Sequence, residues 1–451
     1  MPVEKRPNFL FLVPDQFRAD WLGCASDLPV KTPNIDRLAA EGTRFTRAIT
    51  PSPLCSPARA CLATGMDFEH CGTPTIHDNT PLDKKTYYQA LRDAGYHVAG
   101  VGKFDLHKAD LDWGVDGSVM LDEYGFSEGI DSEGKGDAIW SYRNEGVIKG
   151  PYMNFLKARG LLEDHLSMYQ ESSGNLLFES VTTLPVDAYC DNWIAQNGLN
   201  MLADFSKDQP WHLVVNFAGP HDPYDVTESM RDAWHDTVFP APVENDQDDP
   251  ETVLLRQQNY AAMIENIDTQ IGRYLSQLEE REEFENTIIV FSSDHGEMLG
   301  DHNRWQKSIW RRASVDIPLI VKGVGVPSSH ESGEASRGPS FAVRATEGTQ
   351  VSDALVSFHD IGATFLDYAE AETLPDTDAF SFRSVLDGDS RKHRRVLKSA
   401  LNDWKLVFDG RFKLVLQEGE EPLLFDLKED PNELVNQAEQ FPCKVEQLKS
   451  L

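Results

Sequence analysis

Five short, nearly unbroken apolar runs recur along this chain: Asn8–Val13, His97–Val101, His212–Phe217, Thr287–Ser292 and Ile317–Val321. Runs of this length without polar alternation fit strands covered on both faces. Helical patterns lie between them. Thr32–Gly42 reads as a helix with Asn34 as its candidate N-cap and Gly42 past its end. Tyr260, Ile264, Ile267, Ile271, Tyr274 and Leu278 recur at three- and four-residue steps and make one apolar helical face. This alternation predicts an α/β fold: a large, mixed, mostly parallel sheet sandwiched by helices.

The texture changes after residue 390. Trp404–Phe408, Phe412–Leu416 and Leu423–Phe425 predict a small antiparallel sheet with turns at Asp409-Gly410 and Glu418-Gly419, followed by a short terminal helix. The expected division is a large domain over 1–390 and a small α+β subdomain over 391–451. Within the first, 108–205 reads as a variable insertion over one end of the sheet. Pro327–Pro339, rich in Ser, Gly and Glu, reads as a mobile loop.

Charge narrows the function classes. The 451 residues carry 42 Lys and Arg against 74 Asp and Glu, a formal charge of −32. Such a surface repels nucleic acid and anionic membranes. An anionic substrate must therefore be drawn in by a local basic pocket or a bound cation. No stretch approaches the ~20 apolar residues of a membrane span. The run Phe9–Val13 is too short for a signal peptide, so the expectation is a cytoplasmic protein, or a periplasmic or secreted one if a leader was trimmed. The six cysteines (24, 55, 61, 71, 190 and 443) form no C-x-x-C pair, which argues against a disulfide framework or a structural zinc site.

Ligands of open α/β sheets bind beyond the carboxyl ends of the strands. Pro14-Asp15-Gln16 follows the first run, Gly102-Lys103 the second, Gly219-Pro220-His221-Asp222-Pro223 the third, and Ser293-Asp294-His295-Gly296-Glu297 the fourth. Four strand ends thus bring acids, histidines and a lysine to one rim. Asp15, Gln16, Asp294 and His295 offer mostly oxygen ligands, which suit a hard divalent cation better than zinc. Taken singly, an Asp after a strand reads equally well as a helix cap.

The segment Cys55-x-Pro57-x-Arg59, continued by Leu62-Ala63-Thr64-Gly65, resembles the signature of the sulfatase family, whose cysteine is oxidised after synthesis to formylglycine. Other segments resemble the same family in the same chain order: Asn8–Gln16, Thr32–Leu38, Gly95–Lys103, Pro220-His221-x-Pro223, Ser293–His302 with Lys307, and Phe425–Asn436. The resemblance implies an alkaline phosphatase-like fold and hydrolysis of a sulfate monoester, carbohydrate or other alkyl or aryl. It implies a formylglycine nucleophile at Cys55 and a divalent metal, Ca2+ with Mn2+ or Mg2+ as alternatives, held by Asp15, Gln16, Cys55, Asp294 and His295. Lys103 and Lys307 would contact the sulfate, Arg59 would hold the hydrated aldehyde, and His221 would protonate the leaving alcohol. The implied partners are a small-molecule or saccharide sulfate and a formylglycine-generating maturation enzyme.

Two positions depart from the family pattern. Gln16 stands where many relatives have a second acid, and Asp105 stands where many have a histidine, leaving His107 as the nearest candidate for the second base. The alternatives are a phosphonate monoester or phosphodiester hydrolase sharing these motifs, and an inactive metal-binding protein. Trp305, Trp310, Arg311 and Arg312 are candidates for the substrate mouth, and His302 for structural support. Trp113, Trp140 and Trp193 are candidates for a sugar platform or for the core, and Glu244–Glu251 reads as a solvated loop.

Overall fold

In the computed structural model, residues 6–171, 177–324 and 350–451 are described. The expected loop at Pro327–Pro339 lies outside them. An eight-stranded sheet forms the centre, built from β1 (Asn8–Asp15), β2 (Thr43–Phe45), β3 (His97–Gly102), β4 (Glu128–Asp131), β5 (Trp211–Pro220), β6 (Thr287–Ser292), β7 (Leu319–Lys322) and β8 (Gln350–Ser352). Its order is β8-β2-β7-β6-β1-β5-β3-β4. Only β7 runs against its neighbours; every other pairing in the sheet is parallel.

All eight residues of β1 and all ten of β5 are buried, which is why these strands read as continuous apolar runs. Their side chains divide between two cores. Leu10, Leu12, Leu213 and Val215 pack on α1 (Pro33–Ala40), α4 (Cys190–Asp204) and α5 (Pro250–Glu280). Phe9, Phe11, Val13 and Val214 face the opposite layer, with Tyr87, Phe358 and Phe365. The expected sandwich follows from this alternation.

The stretch 108–205 divides between sheet and rim. Its β4 adds a parallel edge strand to β3, and α4 packs on β5 and β3. Its α3 (Gly136–Glu145) sits at the carboxyl end of the sheet, anchored by Ile139 in a small cluster with Met153, Leu162, Leu166 and Tyr169. The C-terminal sheet carries the three expected strands and one more: β9 (Leu397–Leu401), not anticipated, joins β10 (Trp404–Phe408), β11 (Phe412–Gln417) and β12 (Leu423–Asp426) in an antiparallel meander, followed by α6 (Pro442–Lys449). No helix among the described residues is long and apolar enough to cross a membrane.

The cap of α1 is not Asn34, which lies inside the first turn. Instead the Asp268 carboxylate on α5 accepts the backbone N–H groups of Asn34 and Ile35 at 3.0 and 2.8 Å. A distant carboxylate satisfies the free amides that a local side chain ordinarily takes. The acidic loop 244–251 is also more than solvated surface. Asp249 caps α5 by accepting from Thr252 N, and Asp248 accepts from Trp305 Nε1 at 3.0 Å.

Candidate active site

Register sets the two central carboxylates side by side. Leu12 of β1 pairs with Phe291 of β6, so Asp15 and Asp294, each three residues further on, leave the sheet at one level. Between β1 and β3, the carboxyl half of β5 carries a buried polar residue, Asn216. Beyond it, Gly102 turns at φ 99°, where a Cβ would lie 1.9 Å from Asn216 O. Only glycine fits there, and the turn lets Lys103 N donate to Asn216 O at 3.0 Å.

Cys55 is the first residue of α2 (Cys55–Thr64), a helix buried at every position. Pro57 is tolerated because the first-turn amides have no intrahelical partner, and Gly65 ends the helix at φ 69°. The positive end of the helix therefore meets the strand ends at Cys55. Asp15, Cys55, Asp294 and His295 are all buried, and one ligand atom from each lies within 4.8 Å of the others. Cys55 Sγ is 3.6 Å from Asp15 Oδ1 and 3.2 Å from His295 Nε2. The other ring nitrogen, Nδ1, lies 3.1 Å from Gly296 O, which orients Nε2 into the cluster. Two carboxylates, an imidazole nitrogen and the side chain at 55 suit a divalent cation.

Arg59, one turn into α2, ties the rim together. It donates to Asp294 Oδ2 at 2.9 Å, Asn216 Oδ1 at 2.9 Å, Lys103 O at 2.7 Å and Asp15 Oδ2 at 3.4 Å. One guanidinium thus touches residues from four strands or the turns that follow them. Lys103 Nζ lies 2.6 Å from Asp15, 3.3 Å from Asp105 and 3.8 Å from Cys55 Sγ. Burial and Asp15 push the Cys55 thiol up, but Lys103, Lys307 and His295 outweigh them and hold it well below its ordinary value. Burial likewise raises Asp15, and Lys103, His221, Arg59 and Lys307 overcome it.

Lys307 Nζ contacts both Gln16 Oε1 and His221 Nε2. Gln16 Nε2 donates to Asp222 Oδ1 at 3.2 Å and to Glu297. The Gln16 side chain is thus engaged by Lys307, Asp222 and Glu297, while its backbone N–H donates to Asp294 at 3.1 Å. The second nitrogen of His221 bonds Asp222 O at 2.7 Å.

A cavity of about 380 Å³ opens over Cys55, lined also by Lys103, His221, Asp222 and Lys307. His107 is not among its lining residues. Its Nε2 lies 3.0 Å from Asp131 Oδ2, and its ring stacks on Tyr124. Asp131 in turn accepts from Phe104 N at 3.2 Å, next to Lys103. Lys108, the following residue, lines the cavity in its place.

Trp113 and Trp193 are 1% and 7% exposed and belong to the interior, whereas Trp140 is 40% exposed at the cavity. Arg311 and Arg312 line a different cavity of about 540 Å³, together with His302 and Glu433. Trp310 stacks on Phe425, and Trp305 lies beneath Arg256. His302 pairs with Glu244 at 2.9 Å. Sequence reading missed Asn216, whose signal is an amide set among Val214, Val215 and Phe217 in an apolar strand. It also missed Lys108, Lys135 and Asp137, which come from a stretch without periodicity.

The sulfatase family model matches residues 7–371. The arylsulfatase of Clostridium perfringens is 24% identical over 493 aligned residues, covering 99% of this chain and 93% of the relative. Among solved structures, the phosphonate monoester hydrolase of Agrobacterium radiobacter superposes with a TM-score of 0.76 at 22% identity, covering 99% of this chain and 94% of that one. BT4656, in complex with its substrate D-glucosamine-2-N,6-O-disulfate, gives 0.73 at 19% identity, covering 99% and 96%. The match spans the strands that carry Asp15, Lys103, His221 and Asp294 and the helix that carries Cys55, so this chain belongs to the sulfatase family and is a sulfuric ester hydrolase.

Proposed function

We propose that the chain hydrolyses sulfate monoesters in the cavity above residue 55, with formylglycine in place of Cys55 and a divalent metal, Ca2+ first, beside it. The observation that carries this reading is the contact of Lys307 Nζ with His221 Nε2, next to Lys103 and the helix terminus at Cys55. That contact leaves the ammonium without a carboxylate partner among the described residues, and with Lys103 and the positive helix end it makes a nook beside residue 55 that attracts an anion.

Asp15, Asp294, His295 and the residue-55 oxygen would hold the metal, with Gln16 beside them. When bound, it neutralises charge on the sulfate oxygens, and the hydrated aldehyde supplies the attacking hydroxyl. Lys103 and Lys307 bind sulfate oxygens as point charges. His221, braced at Nδ1 by Asp222, presents Nε2 to the cavity, where it would hand a proton to the departing alcohol oxygen. Arg59 holds the strand ends in register around residue 55. His107 acts at a distance, fixing through Asp131 the turn that presents Lys103.

A second reading, phosphonate monoester hydrolysis, is favoured by the Asp15-Gln16 pair and by the likeness to the Agrobacterium enzyme. Parallel kinetics with an aryl sulfate and an aryl phosphonate separate the two. A mass spectrum of the peptide containing residue 55, from protein made in its native host, tests the modification. An unconverted cysteine there, or a kcat/KM favouring the phosphonate by orders of magnitude, overturns the first reading.

A further inference from the structure

Beyond the sulfate nook, the cavity wall has its own chemistry. Leu54, Ile76, Ala109, Leu111 and Trp140 give it an apolar surface. Trp140 is a large apolar side chain left 40% exposed beside the buried Ile139, and it makes no ring–ring contact among the described residues. An indole held open at a cavity rim has apolar area to offer a ligand. The volume, about 380 Å³, accommodates a sulfate and a small ring.

The helix carrying Trp140 is held in place from both sides. Lys135, just before α3, binds Asp225 Oδ1 at 2.6 Å and Pro223 O at 3.2 Å, two residues on from His221. Asp137, in the first turn, pairs with Lys108 at 2.7 Å, and Lys108 also faces Asp105 at 3.4 Å. Trp140 is therefore fixed relative to the groups that would bind sulfate.

The same ion pairs decide what charge the wall tolerates. Lys108 and Lys135 are each matched by carboxylates, so neither is free to receive a second anion. Lys307, by contrast, has no carboxylate within ion-pair distance among the described residues. The cavity holds its uncompensated positive charge on one side only, next to Cys55.

We propose that Trp140, with Ile76 and Leu111, is the specificity-determining wall for the alcohol half of the ester, and that this half is an uncharged ring presenting an apolar face. An aromatic ring and the apolar face of a sugar share this chemistry. The proposal rests on the sulfatase reading of the site.

The test is equilibrium titration of protein left unconverted at Cys55, which binds the esters without turning them over, as the wild-type chain, Trp140→Ala and Trp140→Phe, with phenyl sulfate, glucose 6-sulfate, methyl sulfate and inorganic sulfate. Trp140→Ala should weaken at least one ring ester about tenfold while leaving methyl sulfate and inorganic sulfate within about twofold. Trp140→Phe should restore most of a phenyl sulfate loss. The identity of the weakened ester distinguishes aryl from sugar. Both ring esters unaffected by Trp140→Ala, or a parallel weakening of all four ligands, overturns the proposal. So does D-glucosamine-2-N,6-O-disulfate binding wild type as tightly as the monosulfates. Failure of the sulfatase reading appears separately, as absence of sulfate ester turnover by protein whose residue 55 is converted.

Discussion

Arg59 Nε donates to Asp294 Oδ2 at 2.9 Å from a helix that has no covalent neighbour on the strand it contacts. The remaining guanidinium nitrogens reach Asn216, Lys103 O and Asp15. A lysine keeps the charge and loses the fork. Arg59→Lys should therefore lower kcat/KM by about a hundredfold or more, since each buried partner left unpaired costs roughly 1–3 kcal/mol. Thermal melting should also drop by several degrees. Activity within threefold of wild type would show that the fork is dispensable.

Of the lysines lining the cavity, Lys307 is the one without a carboxylate partner among the described residues, so removing it subtracts attraction for the anion directly. Lys307→Met should weaken competitive inhibition by inorganic sulfate about tenfold to a hundredfold, as expected for a charge-assisted hydrogen bond of ~1.5–3 kcal/mol. An unchanged inhibition constant would place the sulfate elsewhere.

Asp15 and Asp294 sit wholly buried, held by Arg59 and Lys103. A cation in this cluster stabilises the folded state by mass action, by ~2.7 kcal/mol at a hundred times its Kd. Chelation should abolish turnover and lower the melting temperature, and Ca2+ should restore both. In Asp294→Asn the calcium-dependent rise in melting temperature should vanish. A melting temperature indifferent to chelator and to added cation would remove the metal from the account.

His165 lies between Tyr152 and Tyr169, at ring distances of 5.7 and 5.1 Å, and neither ring nitrogen has a hydrogen-bond partner among the described residues. Burial pulls it down to about 4, against Asp225 and with Lys135. The unfolded chain takes up this proton near pH 6.5 and the native state does not. Stability from this residue is thus full above pH 6.5 and is lost as pH falls towards 4, by roughly 3 kcal/mol. Urea unfolding should find His165→Phe close to wild type at pH 7.5 and clearly more stable at pH 4.5. A difference independent of pH would contradict the assignment.

The long strands were legible because burial on both faces leaves no polar alternation, as in Phe9–Val13 and Leu213–Val215. Strand β4, Glu128-Gly-Ile-Asp131, was not, because it is an edge strand with two charged ends. The three-residue strands β2 and β8 fall below any periodicity. Asp15, Lys103, His221 and Asp294 could be read from their places after apolar runs. The cap on α1 could not, since its carboxylate stands 234 residues away. His107 shows the limit of proximity in sequence: it neighbours Lys108, yet the backbone turns it to Asp131 and away from the cavity. The wall residues Lys135, Asp137 and Trp140 lie in mixed, unpatterned sequence, and only the tertiary pairing of α3 with the His221 segment brings them over Cys55.

The Lys135–Asp225 and Lys108–Asp137 pairs moor α3 from outside the β-strands that end in Asp15 and Asp294. The reactive floor is thus a permanent fixture of the sheet, while the surface meeting the alcohol is a separately hung panel. Exchanging that panel, with its two mooring charges retained, would re-address the molecule to a differently shaped ester and leave the machinery for sulfur untouched.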